Sequence, residues 1–180
     1  MMKAMMMSIR PQYVANILNG DKTIEVRKRF PKDYVGWVYI YCTKEKKVPL
    51  VYNKILQRCT YESVGGVLMK DYYNELNGKV VGRFWCNKVD KFYSIRDNID
   101  DFLKKSCLEE IELWEYLKSQ SYGYAIHISK LEIFDEPKEI NEFSVYSHSV
   151  VGTNIQAKKT LFKILKPLSR APQSWCWVEV

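Results

Sequence analysis

Histidines and closely spaced cysteines are scarce in this sequence. It contains only two histidines and five cysteines, and no two cysteines form a Cys-x-x-Cys pair. Zinc sites need thiols and imidazoles at short spacings, and a disulfide framework normally has an even number of cysteines, whereas these five are widely spaced. We therefore expect no metal site and no cofactor, and the free thiols indicate a reducing, cytoplasmic compartment.

Long hydrophobic runs, internal repeats, low-complexity tracts and linkers are also missing. The largely apolar residues 1–9 are followed at once by Arg10 and Pro11, so the run is too short for a signal peptide or a membrane span. With 47% hydrophobic residues in 180, the chain can bury one ordinary core but hardly two. The sequence predicts a single domain over residues 1–180 with no membrane contact, and it leaves the oligomeric state open.

Positive charge, in contrast, is in excess. The chain has 28 lysines and arginines against 21 aspartates and glutamates, which gives a formal net charge of +7. Such an excess favours anionic partners such as nucleic acid, whose phosphates bind lysine and arginine.

Residues 20–29 (GDKTIEVRKR) combine a turn, a strand and a cluster of opposite charges. Gly20 would end a helix that begins at Pro11, because glycine tolerates the left-handed conformation of a helix terminus. Side chains alternate between faces along the strand that follows. The core face would hold Ile24, Val26 and Phe30, and the opposite face Thr23, Glu25, Arg27 and Arg29. The charged face predicts a groove for a polar, anionic ligand, and the alternative is a solvated Glu/Arg pair.

The rest of the chain mixes strands and helices without strict alternation. We expect strands at residues 3–9, 37–43, 79–93, 122–134 and 174–180, two helices within 94–120, short helices near 52–58 and 158–166, and no assignment for 143–152. Gly82 predicts a bulge or a bend at a barrel corner, and Pro137 predicts the end of its strand. Residues 44–78 are interpreted as an insertion. The pattern favours an α+β fold, a mixed β-barrel of about six strands with helices packed at its ends.

The string SIRPQYVANILNGDKTIEVRKRFP, residues 8–31, resembles the signature of ASCH domains, which belong to the PUA-like superfamily. Gly20, Lys22, Glu25 and Arg27 fall at the positions of a Gly-x-Lys-x-x-Glu-x-Arg motif. The segments VYIYCT, KVVGRFWC, YGYAIHISKLEIFDEPKEINEF and SRAPQSWCWVEV are similar to later family elements. The resemblance implies a PUA-like β-barrel with a cleft that binds RNA or a nucleotide-like ligand.

The resemblance also implies roles for the motif residues. Lys22 would face a phosphate or a carbonyl, Arg27 would hold an anionic group or a base edge with its planar fork, and Glu25 would orient both or accept a base N–H. Further candidate ligand contacts are basic or aromatic residues of the motif region, the aromatic strand and the closing segment: Arg10, Arg29, Tyr39, Tyr41, Arg170 and Trp175. The two tyrosines could stack bases or could belong to the core.

Two other functions stay open. One branch of the ASCH family is an amidohydrolase that removes an acyl group from modified cytidine with the motif lysine, a threonine three positions later and a separate glutamate. This sequence has Glu25 at the threonine position, so the catalytic candidates are Lys22, Thr23 and Glu25. The other function is a protein-interaction adaptor that uses residues 44–78. His127 is interpreted as a half-buried strand residue and not as a metal ligand.

Overall fold

The computed structural model describes residues 3–44, 49–61, 72–93, 99–118, 120–151 and 160–180. In chain order they form β1 (Lys3–Ile9), α1 (Pro11–Leu18), β2 (Ile24–Arg27), β3 (Gly36–Cys42), β4 (Leu50–Asn53), β5 (Arg58–Tyr61), β6 (Tyr73–Glu75), β7 (Val80–Tyr93), α2 (Ile99–Ser106), α3 (Glu110–Leu117), β8 (Tyr122–Lys138), β9 (Ser144–Val151), β10 (Thr160–Pro167) and β11 (Trp175–Glu179). The fold is mixed α+β, as predicted. None of the helices in the described ranges is both long enough and apolar enough to cross a membrane.

Eight strands of the described chain form one sheet, in the order β10-β9-β11-β1-β3-β7-β8-β2. Strands β1 and β3 are parallel, and the other neighbours are antiparallel. The outermost strands β10 and β2 do not pair with each other within the described residues, so no closed barrel is found there. The described residues form eleven strands and not about six, because the hairpin of β9 and β10 and the three strands β4, β5 and β6 add to the six that the sequence predicts.

The basic helix expected at residues 158–166 is a strand in the part that the structure describes. Thr160–Pro167 pairs antiparallel with Ser144–Val151, from Thr160 opposite Val151 to Pro167 opposite Ser144. Adjacent apolar residues at 161–162 and 164–165 suit either a helix or a strand, and the ladder of hydrogen bonds with β9 decides between them. Residues 158 and 159 lie outside the described residues.

The described part of residues 44–78 forms a small second sheet with the order β5-β4-β6. In the turn between β4 and β5, Asn53 Oδ1 accepts hydrogen bonds from the backbone N–H groups of Ile55 and Leu56, both at 2.9 Å. An asparagine that satisfies turn donors in this way favours a hairpin, so the short helix predicted at 52–58 is wrong. Leu50 and Cys59 are buried in the main core, so this segment packs against the domain.

Buried clusters on both faces of the main sheet fix the position of β2. Met5 and Met7 of β1 pack with α1, while Met6 packs on the opposite face. A third cluster joins Ile24 and Val26 of β2 to side chains from β7, β8, α2 and α3, namely Phe92, Ala125, Phe102, Leu113 and Leu117. Phe30 packs in the first cluster instead, because β2 ends at Arg27. The apolar face of β2 is therefore held against the helices.

Strands β7 and β8 approach each other closely at Gly82. A Cβ at this position would lie 2.4 Å from the backbone oxygen of Glu132, and the register of the two strands shifts between Val80 and Gly82. Of the two alternatives predicted at Gly82, the bulge is the one found. Pro137 does not end β8, which continues to Lys138 opposite Val80. Proline lacks the N–H of a strand ladder, and here it is tolerated one residue from the end of the strand.

Candidate ligand-binding site

Three charged side chains at the start and along the inner face of β2 are buried. Lys22, Glu25 and Arg27, together called the triad below, are 2%, 5% and 8% exposed. The apolar side chains of β2 pack in the cluster with α2 and α3, and Glu25 and Arg27 lie on the opposite face of the strand. Such low exposure excludes the solvated Glu/Arg pair that the sequence left open.

Glu25 bridges the two cations of the triad. Its Oε1 lies 3.0 Å from Arg27 Nη2, and its Oε2 lies 3.4 Å from Lys22 Nζ. A carboxylate between two cations offsets the desolvation that burial imposes on all three groups. One positive charge remains in excess.

Hydrogen bonds tie the triad to distant parts of the chain. Arg27 Nη2 donates to the backbone oxygen of Ser8 on β1 at 2.8 Å, and Arg27 Nη1 donates to Ser174 Oγ at 3.4 Å. Lys22 Nζ donates to the backbone oxygen of Ser106, the last residue of α2. A cation is favourable at this position because helix C-termini carry partial negative charge. The triad is therefore rigidly held by three separate elements.

Two buried atoms of the triad keep unused hydrogen-bonding capacity. Among the described residues, neither Glu25 Oε2 nor Arg27 Nε has a hydrogen-bond partner. Glu25 Oε2 still has the Lys22 ammonium at 3.4 Å, so Arg27 Nε is the triad atom that lacks any polar partner.

A cavity of about 650 Å³, called the triad cavity below, is lined by all three residues of the triad. Its charged lining residues are Arg10, Lys22, Arg27, Lys28 and Lys118 with Glu25, Glu112 and Glu115. Its uncharged polar lining residues are Ser8, Tyr13, Thr43, Tyr116, Gln173 and Ser174. Five cations against three carboxylates leave the lining net positive, which suits an anionic ligand.

Aromatic side chains stand beside two of these cations. Lys22 Nζ lies 5.1 Å from the centre of the Tyr13 ring, and Lys28 Nζ lies 5.2 Å from that of Tyr116. Burial, with the nearby Glu112 carboxylate, raises the pKa of the Tyr13 hydroxyl. The hydroxyl therefore stays protonated at neutral pH and can donate a hydrogen bond to a ligand.

The structure brings together four of the residues that the sequence singles out. Arg10 and the triad line the cavity. The other candidates do not line it, and they lie as follows. Thr23, Arg29 and Arg170 are exposed, and Tyr39 and Tyr41 are buried in the core cluster on the other face of β1. Trp175 Nε1 donates to the backbone oxygen of Arg29 at 2.8 Å, and its ring packs against Phe30.

Sequence reasoning missed the lining residues that come from outside the motif. Ser8 and Ser174 meet Arg27 only because β1 pairs with β11, and Glu112 and Tyr116 belong to α3, far along the chain. Lys28 could have been found, because it lies inside the charged string that follows Gly20. His127 is half-buried on β8, as interpreted from the sequence.

Comparison with known proteins gives structural matches only. No protein-family model and no curated protein matches this sequence. A serine-to-alanine variant of the ASCH protein from Zymomonas mobilis is similar with a TM-score of 0.57 and 15% sequence identity, over 98% of this chain and 88% of that chain. A structure titled as ASCH from the same organism has a TM-score of 0.52 and 14% identity, over 77% of this chain and 75% of that chain. The chain therefore has an ASCH-like fold, in agreement with the resemblance carried by residues 8–31.

Proposed function

We propose that the triad cavity binds a nucleotide, free or as a unit of RNA. The observation that carries this proposal is the buried triad, with its one excess positive charge, in the wall of a net positive cavity. The edge of a nucleobase offers hydrogen-bond donors and acceptors next to each other, which suits a cavity lined by a carboxylate beside a guanidinium. The cationic lining residues, among them Arg10 and Lys28 outside the triad, would neutralise the phosphate.

The size of the cavity is compatible with this ligand. Sites for small molecules enclose about 300–1,000 Å³, and the triad cavity, at about 650 Å³, lies in the middle of that range. A planar base can also contact the rings of Tyr13 and Tyr116, as bases commonly do on aromatic side chains.

The test uses cations outside the triad, so that the buried ion pairs stay intact. We expect Arg10→Ala/Lys28→Ala to weaken the binding of short single-stranded RNA and of mononucleotides, measured by fluorescence anisotropy and calorimetry at several salt concentrations. Affinity for a single strand falls as salt rises, and each lost phosphate contact should make the plot of log affinity against log salt less steep by roughly 0.7. The control Lys32→Ala/Arg58→Ala removes the same charge from exposed positions outside the cavity lining and should bind like the wild type. An equal loss of affinity in both double variants would mean that binding depends only on the overall charge of the protein and not on the triad cavity.

A hydrolase acting on a modified nucleoside is the competing activity, and the same ligands test it. Lys22 Nζ is engaged by Ser106 and Glu25, and the hydroxyl-bearing Thr23 is exposed and does not line the cavity. We expect acylated cytidines and a panel of other nucleosides to bind without turnover, as followed by chromatography. Release of an acyl group that Lys22→Met abolishes would instead establish catalysis.

A further inference from the structure

One edge of β2 is unpaired, because β2 is the last strand on its side of the sheet in the described part of the chain. Its other edge pairs antiparallel with β8, with Ile24 opposite His127. One residue before the strand begins, the backbone oxygen of Thr23 accepts a hydrogen bond from the backbone N–H of Ile128 at 2.9 Å. This bond decides which residues of β2 turn their backbone groups toward β8.

The backbone groups of β2 alternate between its two edges. In an antiparallel pair, every second residue bonds to the neighbouring strand through both its N–H and its C=O, and the residues between them turn both groups away. The bond from Ile128 makes Thr23 a bonding position, so the odd-numbered residues of β2 bond to β8. The even-numbered residues, Ile24 and Val26, therefore direct their N–H and C=O groups to the unpaired edge.

The unpaired edge faces the triad cavity at Val26. This residue lines the cavity although its side chain packs in the cluster with α2 and α3, so its backbone is the part that lines it. Val26 is only 6% exposed, and no hydrogen bond joins its N–H or C=O to another described residue. Buried backbone groups are nearly always paired. A donor and an acceptor left open side by side at a cavity therefore indicate a place for a ligand.

A single open donor and acceptor suit a nucleobase better than a peptide strand. A peptide that extends a sheet bonds to alternate residues along its edge, and Ile24, the other outward residue of β2, does not line the cavity. A nucleobase needs one such pair, because its edge presents a donor and an acceptor next to each other. Glu25 and Arg27, the chain neighbours of Val26, line the same cavity, whose positive charge suits the phosphate.

We propose that the backbone N–H and C=O of Val26 hold the base of the nucleotide in the triad cavity. This proposal rests on the function proposed above, and it names the group that recognises the base. Neutral hydrogen bonds release no counterions, whereas phosphate contacts do. The contribution of the base is therefore independent of salt, and that of the phosphate falls as salt rises.

The first test observes the Val26 N–H by NMR. In protein labelled with ¹³C-glutamate and ¹⁵N-valine, only a valine that follows a glutamate gives a carbonyl-coupled amide signal, and the sequence has two, Val26 and Val180. Val180 lies at the end of the chain and outside the cavity lining, so its signal is the internal control. The 5′-monophosphates of adenosine, cytidine, guanosine and uridine are added in turn, and ribose 5-phosphate is the matched ligand without a base.

The second test deletes the Val26 N–H alone. Replacing the valine by 2-hydroxy-3-methylbutanoate puts an ester in place of the amide, and the same replacement at Val180 is the control. The variant also assigns the Val26 signal, because that signal disappears. Since the Val26 N–H has no hydrogen-bond partner among the described residues, the ester should change the urea midpoint little.

A nucleotide that binds should move the Val26 amide proton downfield and leave Val180 unmoved, and ribose 5-phosphate should move neither. The ester at Val26 should weaken nucleotide binding by roughly 2- to 12-fold, the effect of one neutral hydrogen bond. The factor should be the same at every salt concentration, and the affinity for ribose 5-phosphate should not change. The ester at Val180 should bind every ligand like the wild type.

Nucleotide binding that leaves the Val26 amide unmoved, or that the ester does not weaken, overturns the proposal and leaves the triad function standing. A shift of the Val26 signal with ribose 5-phosphate also overturns it, because the backbone would then hold the sugar or the phosphate. A shift produced by an acidic hexapeptide and by no nucleotide assigns the edge to a peptide strand instead. If neither mononucleotides nor RNA bind, the triad function itself fails, and this proposal fails with it.

Discussion

Replacing Glu25 by glutamine tests whether the triad is a buried ion-pair network. The substitution keeps the size of the side chain but removes the charge between Lys22 and Arg27, whose side chains are only 2% and 10% exposed. Removing one partner of a buried pair costs about 3–5 kcal/mol, because the remaining charges lie away from water without compensation. We expect the lower end of this range, since the glutamine oxygen still accepts a hydrogen bond from Arg27.

Urea unfolding measures this loss. With a slope of about 2 kcal/mol per molar urea, a loss of about 3 kcal/mol lowers the midpoint by roughly 1.5 M. The matched control is Glu132→Gln, which removes the partner of Arg83 at the surface, where the Glu132 side chain is 46% exposed. A surface pair contributes about 0–1 kcal/mol, so the control should change the midpoint little.

A triple replacement of the triad completes the experiment. Substituting Lys22, Glu25 and Arg27 together by apolar residues of similar volume removes every charge at once, and such replacements are often neutral or stabilising. The triple variant should therefore be more stable than Glu25→Gln, while RNA binding should be lost. The reasoning is refuted if Glu25→Gln unfolds within about 0.5 kcal/mol of the wild type, which is the usual range for a surface substitution.

Two further predictions concern the sheet and the thiols. Gly82→Ala should lower the free energy of unfolding by about 1–3 kcal/mol, because its Cβ would meet the Glu132 backbone oxygen at 2.4 Å, and a wild-type urea midpoint would contradict this close approach. In the native protein at pH 8, iodoacetamide should alkylate the partly exposed Cys107 well before Cys59, since burial raises the pKa of the Cys59 thiol to about 12. Peptide mass spectrometry with and without urea checks this order, and equal rates in the native protein would show that Cys59 is accessible.

The sequence was sufficient to predict the clustering of the triad. Lys22, Glu25 and Arg27 lie within six residues, and the glycine turn and the alternation of a strand place them together. What the local pattern could not show is that these charges are buried, because their burial depends on β1, α2, α3 and the segment around Ser174, which come from all parts of the chain.

The errors in the fold have a similar physical origin. Residues 160–167 carry a pattern that suits a helix as well as a strand, and only the pairing with β9 selects the strand. In the β4–β5 hairpin, the side chain of Asn53 replaces the helical hydrogen bonds that the local propensity suggested. Tyr39, a candidate for base stacking, instead packs against Phe143, which is more than a hundred positions away. Contacts between residues this far apart in the sequence cannot be predicted from a window of a few residues.

The bond from Arg27 to Ser174 spans 147 positions of the chain, which affects how the protein is made on the ribosome. Translation delivers the N-terminal strand and the whole charged motif early, yet the guanidinium obtains its full set of partners only after residue 174 has left the exit tunnel. A nascent chain therefore carries the motif well before it has a complete cleft. We expect nascent chains stalled before this point to be unable to recognise the ligand, and binding competence to arise abruptly when the last strand adds to the sheet.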